Sequence, residues 1–288
     1  MFTTSSLLVA LGATAASAAC ITRAPSAGAI SCPVVLDGRV PANLSLAQLD
    51  TSNGLFNPDY VKGNNVSWSD AILFPAGANS RFDSAEYKSL EVTINNASIF
   101  QQQYGFRRAG LQFAADTNEN STGYVGVKTL HWSIKTDAQR ALNLSHEYLN
   151  VWHEAADYSA DQIMFQTGKM IDQPDLDANA WKIFDRTNTL LWSTPVEAET
   201  WQNFAVKMDI DANTVQIYYS SGTDALVAAT DALDADLSGM GQYQIGILKK
   251  PTGTSDVANS GYQEAPFEEG LIYGGIFVED SADGCISL

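Results

Sequence analysis

The sequence predicts an all-β fold, an antiparallel two-sheet sandwich or jelly roll with long loops. Three observations carry this. Short stretches that alternate, or that are rich in β-branched and aromatic residues, recur along the chain. Clusters of Gly, Asn, Asp and Ser separate them. Helical periodicity is weak and brief, as in all-β architectures built from many short strands.

The elements follow in order. Ser45–Leu49 makes at most one helical turn behind an N-cap serine. Strands are predicted at Leu90–Ile94, Phe106–Phe113, Lys128–Ile134, His146–Trp152, Gln162–Phe165, Trp181–Phe184 and Leu190–Trp192. Phe204–Ile210 and Val215–Tyr219 flank the turn residues Asp209 to Thr214, which makes this the clearest hairpin. Ala225–Leu237 has helical propensity, but a preceding strand and a Ser-Gly-Met-Gly turn bracket it, so strand and loop are expected there. Tyr243–Leu248 and Leu271–Val278 complete the set.

The chain has 288 residues. No repeat or Pro/Ser linker divides it, so residues 32–288 read as one domain, preceded by a lead segment at 20–31. Residues 1–19 carry no charge, hold the apolar run Leu7–Leu11 and end in Ala16-Ser17-Ala18, which reads as a secretory signal. No stretch reaches the ~18 apolar residues that cross a bilayer. A secreted, extracellular monomer is expected, with no membrane partner. The sequons at Asn43, Asn65, Asn96, Asn120 and Asn143 fit a glycosylating pathway. Of the three cysteines, Cys32 and Cys285 are candidates to bridge the two ends of the domain, and Cys20–Cys32 is the rival pairing. A net charge of −17 argues against nucleic acid, anionic lipid and acidic polysaccharide as partners, and leaves neutral ligands open.

The chemistry concentrates in Ser145-His146-Glu147-Tyr148-Leu149-Asn150-Val151-Trp152-His153-Glu154. Strict alternation puts His146, Tyr148, Asn150, Trp152 and Glu154 on one strand face, and Leu149, Val151 and His153 on the other. The first face reads as the floor of a groove for something neutral and polar. Glu147 falls on the apolar face unless a bulge, or a strand that begins at Tyr148, releases it. His146, Asn150 and Glu154 are ~13 Å apart in succession, too far to share one ion, so no metal or other cofactor is expected. No G-x-S-x-G elbow supports a Ser-His-Asp triad. Paired carboxylates suit glycosidic-bond hydrolysis, where one group protonates the leaving oxygen and the other attacks or activates water. The candidates are Glu91, Glu147, Glu154, Glu264 and Glu279. Arg108 shares a face with Gly110 and Gln112, where it would orient a carboxylate or a sugar hydroxyl. Trp152 would stack on a sugar, and Lys249, Lys250 and Tyr262-Gln263-Glu264 would form a rim.

Several long motifs are similar to those of the fungal glycoside hydrolase family 131. They are Cys32-Pro33-Val34 with Leu36-Asp37-Gly38-Arg39-Val40-Pro41, Asn57-Pro58-Asp59-Tyr60-Val61-Lys62-Gly63, Gly105-Phe106-Arg107-Arg108 and Lys128-Thr129-Leu130-His131. Leu142-Asn143-Leu144-Ser145-His146-Glu147-Tyr148, Gly246-Ile247-Leu248-Lys249-Lys250-Pro251, Ser260-Gly261-Tyr262-Gln263-Glu264 and Glu269 to Phe277 continue in the same order. The resemblance implies a β-jelly roll and a secreted β-glucanase of the kind that degrades plant cell walls. It implies action on β-1,3, β-1,6 and β-1,4 glucans with inversion, by two glutamates ~6.5–9.5 Å apart. One of them maps to Glu147. The other follows Arg-Arg-x, where this chain has Gly110. A glycine transfers no proton. Glu154 therefore becomes the nearest substitute, a glucan-binding module without catalysis becomes the alternative, and a polysaccharide lyase is a third reading. His146, Arg108, Tyr148, Trp152, Lys249 and Gln263 are the residues expected to meet the glucan.

Overall fold

The structure, a computed structural model, describes residue 1 and residues 28–52, 54–77 and 79–288. Apart from residue 1, the signal segment lies outside the described residues, as do Cys20 and the lead segment up to residue 27.

Seventeen strands form in chain order. The first seven are β1 (Val34–Asp37), β2 (Val40–Pro41), β3 (Ile72–Leu73), β4 (Tyr87–Lys88), β5 (Leu90–Asn95), β6 (Arg107–Leu111) and β7 (Val127–Thr136). Next come β8 (Glu147–Glu154), β9 (Asp161–Gly168), β10 (Ala180–Asp185), β11 (Leu190–Pro195), β12 (Gln202–Asp209) and β13 (Thr214–Ser221). The last four are β14 (Val227–Ala228), β15 (Leu233–Asp234), β16 (Gln242–Lys249) and β17 (Glu268–Asp280). Every strand read from alternation is present. The additional ones are two to four residues long, too short for a period to show. The turn after Ser45 forms as a 3₁₀ helix at Leu46–Asp50, and one short helix, Trp68–Ala71, went unread. It is capped by Ser67, whose side chain accepts from the Asp70 N–H.

A nine-stranded sheet runs β14-β13-β12-β7-β17-β5-β3, with β1 paired to β17 and β15 to β13. A six-stranded sheet runs β11-β10-β9-β8-β16-β6. All pairings are antiparallel. The sheets meet over one core. Trp132, Ile134, Phe204, Val206, Leu271 and Tyr273 come from the larger sheet, and Leu111, Tyr148, Val151, Phe165, Trp181 and Ile245 from the smaller. Alternation explains this, since each strand gives every second side chain to the interior.

Strand β8 breaks the alternation once. Leu149 pairs with Gln166 and Val151 with Phe165, so Asn150 is an extra residue against β9. The bulge switches the faces midway. Tyr148 and Val151 lie in the inter-sheet core, with the His153 ring stacked on Tyr124. Leu149 and Trp152 pack on the outer face with Met164, Met170, Phe184 and Leu248. This corrects the single polar face expected from strict alternation.

Cys32 and Cys285 form the disulfide, with Cα atoms 5.8 Å apart across 253 residues of sequence. Replacing both cysteines with serine is expected to lower stability by about 5 kcal/mol on the chain-entropy relation, within a usual range of about 2–5 kcal/mol. The urea midpoint of the double variant measures this, and an unchanged midpoint would assign the bond no stabilising role.

Candidate active site

The outer face of the six-stranded sheet carries two polar groups, one at each end of β8. At the first, Glu147 is nearly buried. One carboxylate oxygen accepts from the Lys250 ammonium, and the other accepts from the Ile171 N–H at 2.7 Å. A cleft of about 250 Å³ opens here, lined by Ser145, Glu147, Lys169, Ile171, Pro251 and Thr254 among others.

At the far end, Glu154 accepts from Gln244 Nε2, and the Gln244 carbonyl oxygen accepts from Arg108 Nη2 at 3.1 Å. The buried Arg108 guanidinium lies 5.6 Å from the Trp152 ring centroid and also donates to the Gln103 side-chain oxygen at 3.1 Å. Asp161 is the cross-strand neighbour of Glu154. Facing residues on adjacent strands hold their Cβ atoms about 5 Å apart. Gly241 closes the end of β16 against this site. A Cβ there would stand 1.8 Å from the Glu154 carbonyl oxygen, so only glycine allows that approach.

The electrostatics follow from this placement. Burial raises the Glu154 carboxyl above its ordinary value, against the pull of Arg108 and of the Gln244 hydrogen bond. Burial, and then the Glu154 charge, push Asp161 up to about 7, with Arg108 and Lys250 opposing. No described side chain or N–H donates to the Asp161 carboxyl, whereas Glu154 has the Gln244 donor. Near neutral pH the Asp161 carboxyl is therefore partly protonated.

The remaining sequence candidates fall elsewhere. Tyr148 is fully buried and donates to Glu269 Oε2 at 2.9 Å. Lys249 is fully buried, 2.6 Å from Glu264 and 2.7 Å from Glu269. His146 is buried with Nδ1 2.8 Å from the Lys250 carbonyl oxygen and Nε2 2.9 Å from Glu264. Gln263 donates to the Gly105 carbonyl at 2.9 Å. Trp152 is buried beneath Arg108 and offers no open ring. Of these side chains only Gln263 is partly exposed. Glu91 is bound to Arg140, and Glu279 to His131 and Ser287, all away from this face. Burial opposes ionisation of Glu264, but the hydrogen bonds from Lys249 and Asn143 outweigh it and hold its carboxyl down at about 2.

Glu147 and Glu154 stand at opposite ends of β8, and each carboxylate has its own donors. Gly110 instead belongs to the Glu154 end. A Cβ on it would meet Gln244 Oε1 at 3.1 Å and Trp152 Cη2 at 3.3 Å, so any side chain there presses on the indole edge.

Asp161 was missed because the strand was read as starting at Gln162. Four exposed tyrosines were missed as well. Tyr60, Tyr104, Tyr158 and Tyr262 are 52%, 62%, 70% and 63% exposed, which marks them as surface rings rather than core. Tyr60 precedes Val61, whose carbonyl accepts from Gly110, and Tyr104 lies just before β6. Tyr158 is in the β8–β9 loop, and Tyr262 bridges to Thr252 beside the Glu147 cleft. All four flank the six-stranded sheet. Among the described residues no three His, Cys, Asp or Glu side chains are grouped to hold a metal ion, and no helix is long and apolar enough to cross a membrane.

Residues 34–284 match the profile of the glycoside hydrolase 131 catalytic N-terminal domain. The chain belongs to glycoside hydrolase family 131. Two solved structures share the fold of this family 131 chain. One is the GH131 β-glucanase catalytic domain from Podospora anserina, with TM-score 0.71 and 20% identity, covering 88% of this chain and 97% of that one. The other is the family 131 catalytic domain from Coprinopsis cinerea, with TM-score 0.69 and 21% identity, covering 88% and 96%. No curated protein matches the sequence.

A Gly110→Glu substitution must displace Trp152 and Gln244. It is expected to cost about 1–3 kcal/mol, as overpacking does, and to lower the thermal midpoint. An unchanged midpoint would mean that the indole swings aside freely.

Proposed function

We propose that this protein is a secreted hydrolase of neutral β-glucans, with Glu154 as a catalytic carboxylate on the outer face of the six-stranded sheet. The observation that carries this is the Glu154–Asp161 pair beside Arg108, in a domain of the family 131 catalytic type. A glycosidic oxygen needs a proton as its bond breaks, and a carboxyl held partly neutral at working pH supplies one. The four exposed tyrosines support a polysaccharide ligand. Each ring has an apolar face for a sugar and a hydroxyl that stays wet. The net charge of −17 supports a neutral one.

Action across β-1,3, β-1,6 and β-1,4 linkages, with inversion at the anomeric carbon, is the finer reading that the family resemblance favours. Secretion and glycosylation are supported by exposure of the asparagine in all five sequons. Asn143 is exposed and donates to Glu264 at 2.9 Å.

One observation favours a glucan-binding module instead. Gly110, beside the Trp152 indole edge, leaves no carboxyl where the resemblance expects one. Glucan retention in a pull-down with no reducing sugar released would select that reading.

In a panel of laminarin, a β-1,6-glucan and a β-1,4-glucan, Glu154→Gln is expected to lower reducing-sugar release by ~10²–10⁴-fold. The same loss in Glu147→Gln, with none in Glu154→Gln, would return the role to Glu147.

A further inference from the structure

The hydrolase reading leaves the source of the leaving-group proton open, because the position after Arg-Arg-x is Gly110. We propose that Asp161 is the proton donor, placed by the β8–β9 hairpin beside Glu154 and replacing a carboxyl at position 110. This rests on the hydrolase reading above.

The geometry selects Asp161 over the other buried acids. Asp83 accepts from Ser80 and from the Gly275 N–H, and Asp116 accepts from Ser121 and from the Tyr243 N–H. Both are tied into loops by two donors each. The Asp161 carboxyl accepts from no described donor and lies next to a second carboxylate at an edge that is only half-buried. Every charge around it is accounted for. Glu154 on β8 repels a charge on Asp161, while Arg108 on β6 and Lys250, just after β16 and bonded to Glu147, attract it. Gln244 on β16 is neutral and donates to Glu154. Asp157, in the loop between the strands, is exposed and bonded to Ser159.

The step balances. The bond between the anomeric carbon and the glycosidic oxygen breaks, its electron pair goes to that oxygen, and the Asp161 proton completes the leaving hydroxyl. A water oxygen bonds to the anomeric carbon, and the proton it sheds passes to solvent, which reprotonates the Asp161 carboxylate.

The test uses the full chain with two substrates, a β-glucan and an aryl β-glucoside whose leaving phenolate needs no proton. Asp161→Asn is expected to lose ~10²–10⁴-fold on the glucan and to keep most of its aryl-glucoside activity. Because the working form is protonated, wild-type activity on glucan should fall as pH rises through about 7. That limb should vanish in Asp161→Asn and move to lower pH in Glu154→Gln, where the repelling charge is gone. Glucan activity and an alkaline limb unchanged in Asp161→Asn would overturn this proposal and leave the hydrolase reading standing. A wild type inert on both substrates would overturn the hydrolase reading, and this proposal with it. Carbon-13 titration of the Asp161 carboxyl is a direct check. A midpoint in the ordinary aspartate range, near ~4, would also overturn the assignment.

Discussion

The extra residue at Asn150 is the constraint on which the site depends. Without it, β8 would send Glu147, Leu149, Val151 and His153 to one side, and Tyr148, Trp152 and Glu154 to the other. With it, Val151 and His153 join Tyr148 in the core, and Trp152 and Glu154 stand on the outer face with Leu149. Neither amide atom of Asn150 finds a hydrogen-bond partner although the side chain is fully buried. An unmet polar group of that kind costs about 1–3 kcal/mol. The fold keeps a locally unfavourable residue where it reorients a strand beside its carboxylates, as bulges near active sites commonly do.

A second polar set acts as a fastener. Lys249 sits fully buried between Glu264 and Glu269, while Tyr148 and Asn143 bind the same two carboxylates. His146 adds a contact to Glu264 and another to the backbone of Lys250. Together they tie the start of β8, the end of β16 and the loop before β17 into one block. Removing one partner strands a buried charge, which costs far more than the intact pair contributes.

The long strands were legible because their two faces differ sharply. Ala109, Leu111 and Phe113 against Arg108, Gly110 and Gln112 is such a case, and the structure keeps that division. The Ser-His-Glu-Tyr region was legible as a centre of polar chemistry, but not in its orientation, because a bulge leaves no mark on composition. His146, Tyr148 and Lys249 look like ligand contacts for their residue type, yet their partners in the fold are Glu264 and Glu269. Asp161 carries no motif. It gains its character only from the hairpin register that sets it against Glu154. The tyrosines at 60, 104, 158 and 262 lie in separate loops, and only the folded chain gathers them around one sheet.

The Cys32–Cys285 bond gathers both ends of the domain at one point. Beside that bond, β1 pairs with β17 in the nine-stranded layer, opposite the face that holds Glu154 and Asp161. Tethering the protein through either end, to a resin, a fluorophore or a second module, would thus leave the carboxylate face turned outward. The shared exit also makes a circularly permuted version practical, with a short linker across the old ends and new ones opened in an exposed loop far from β8.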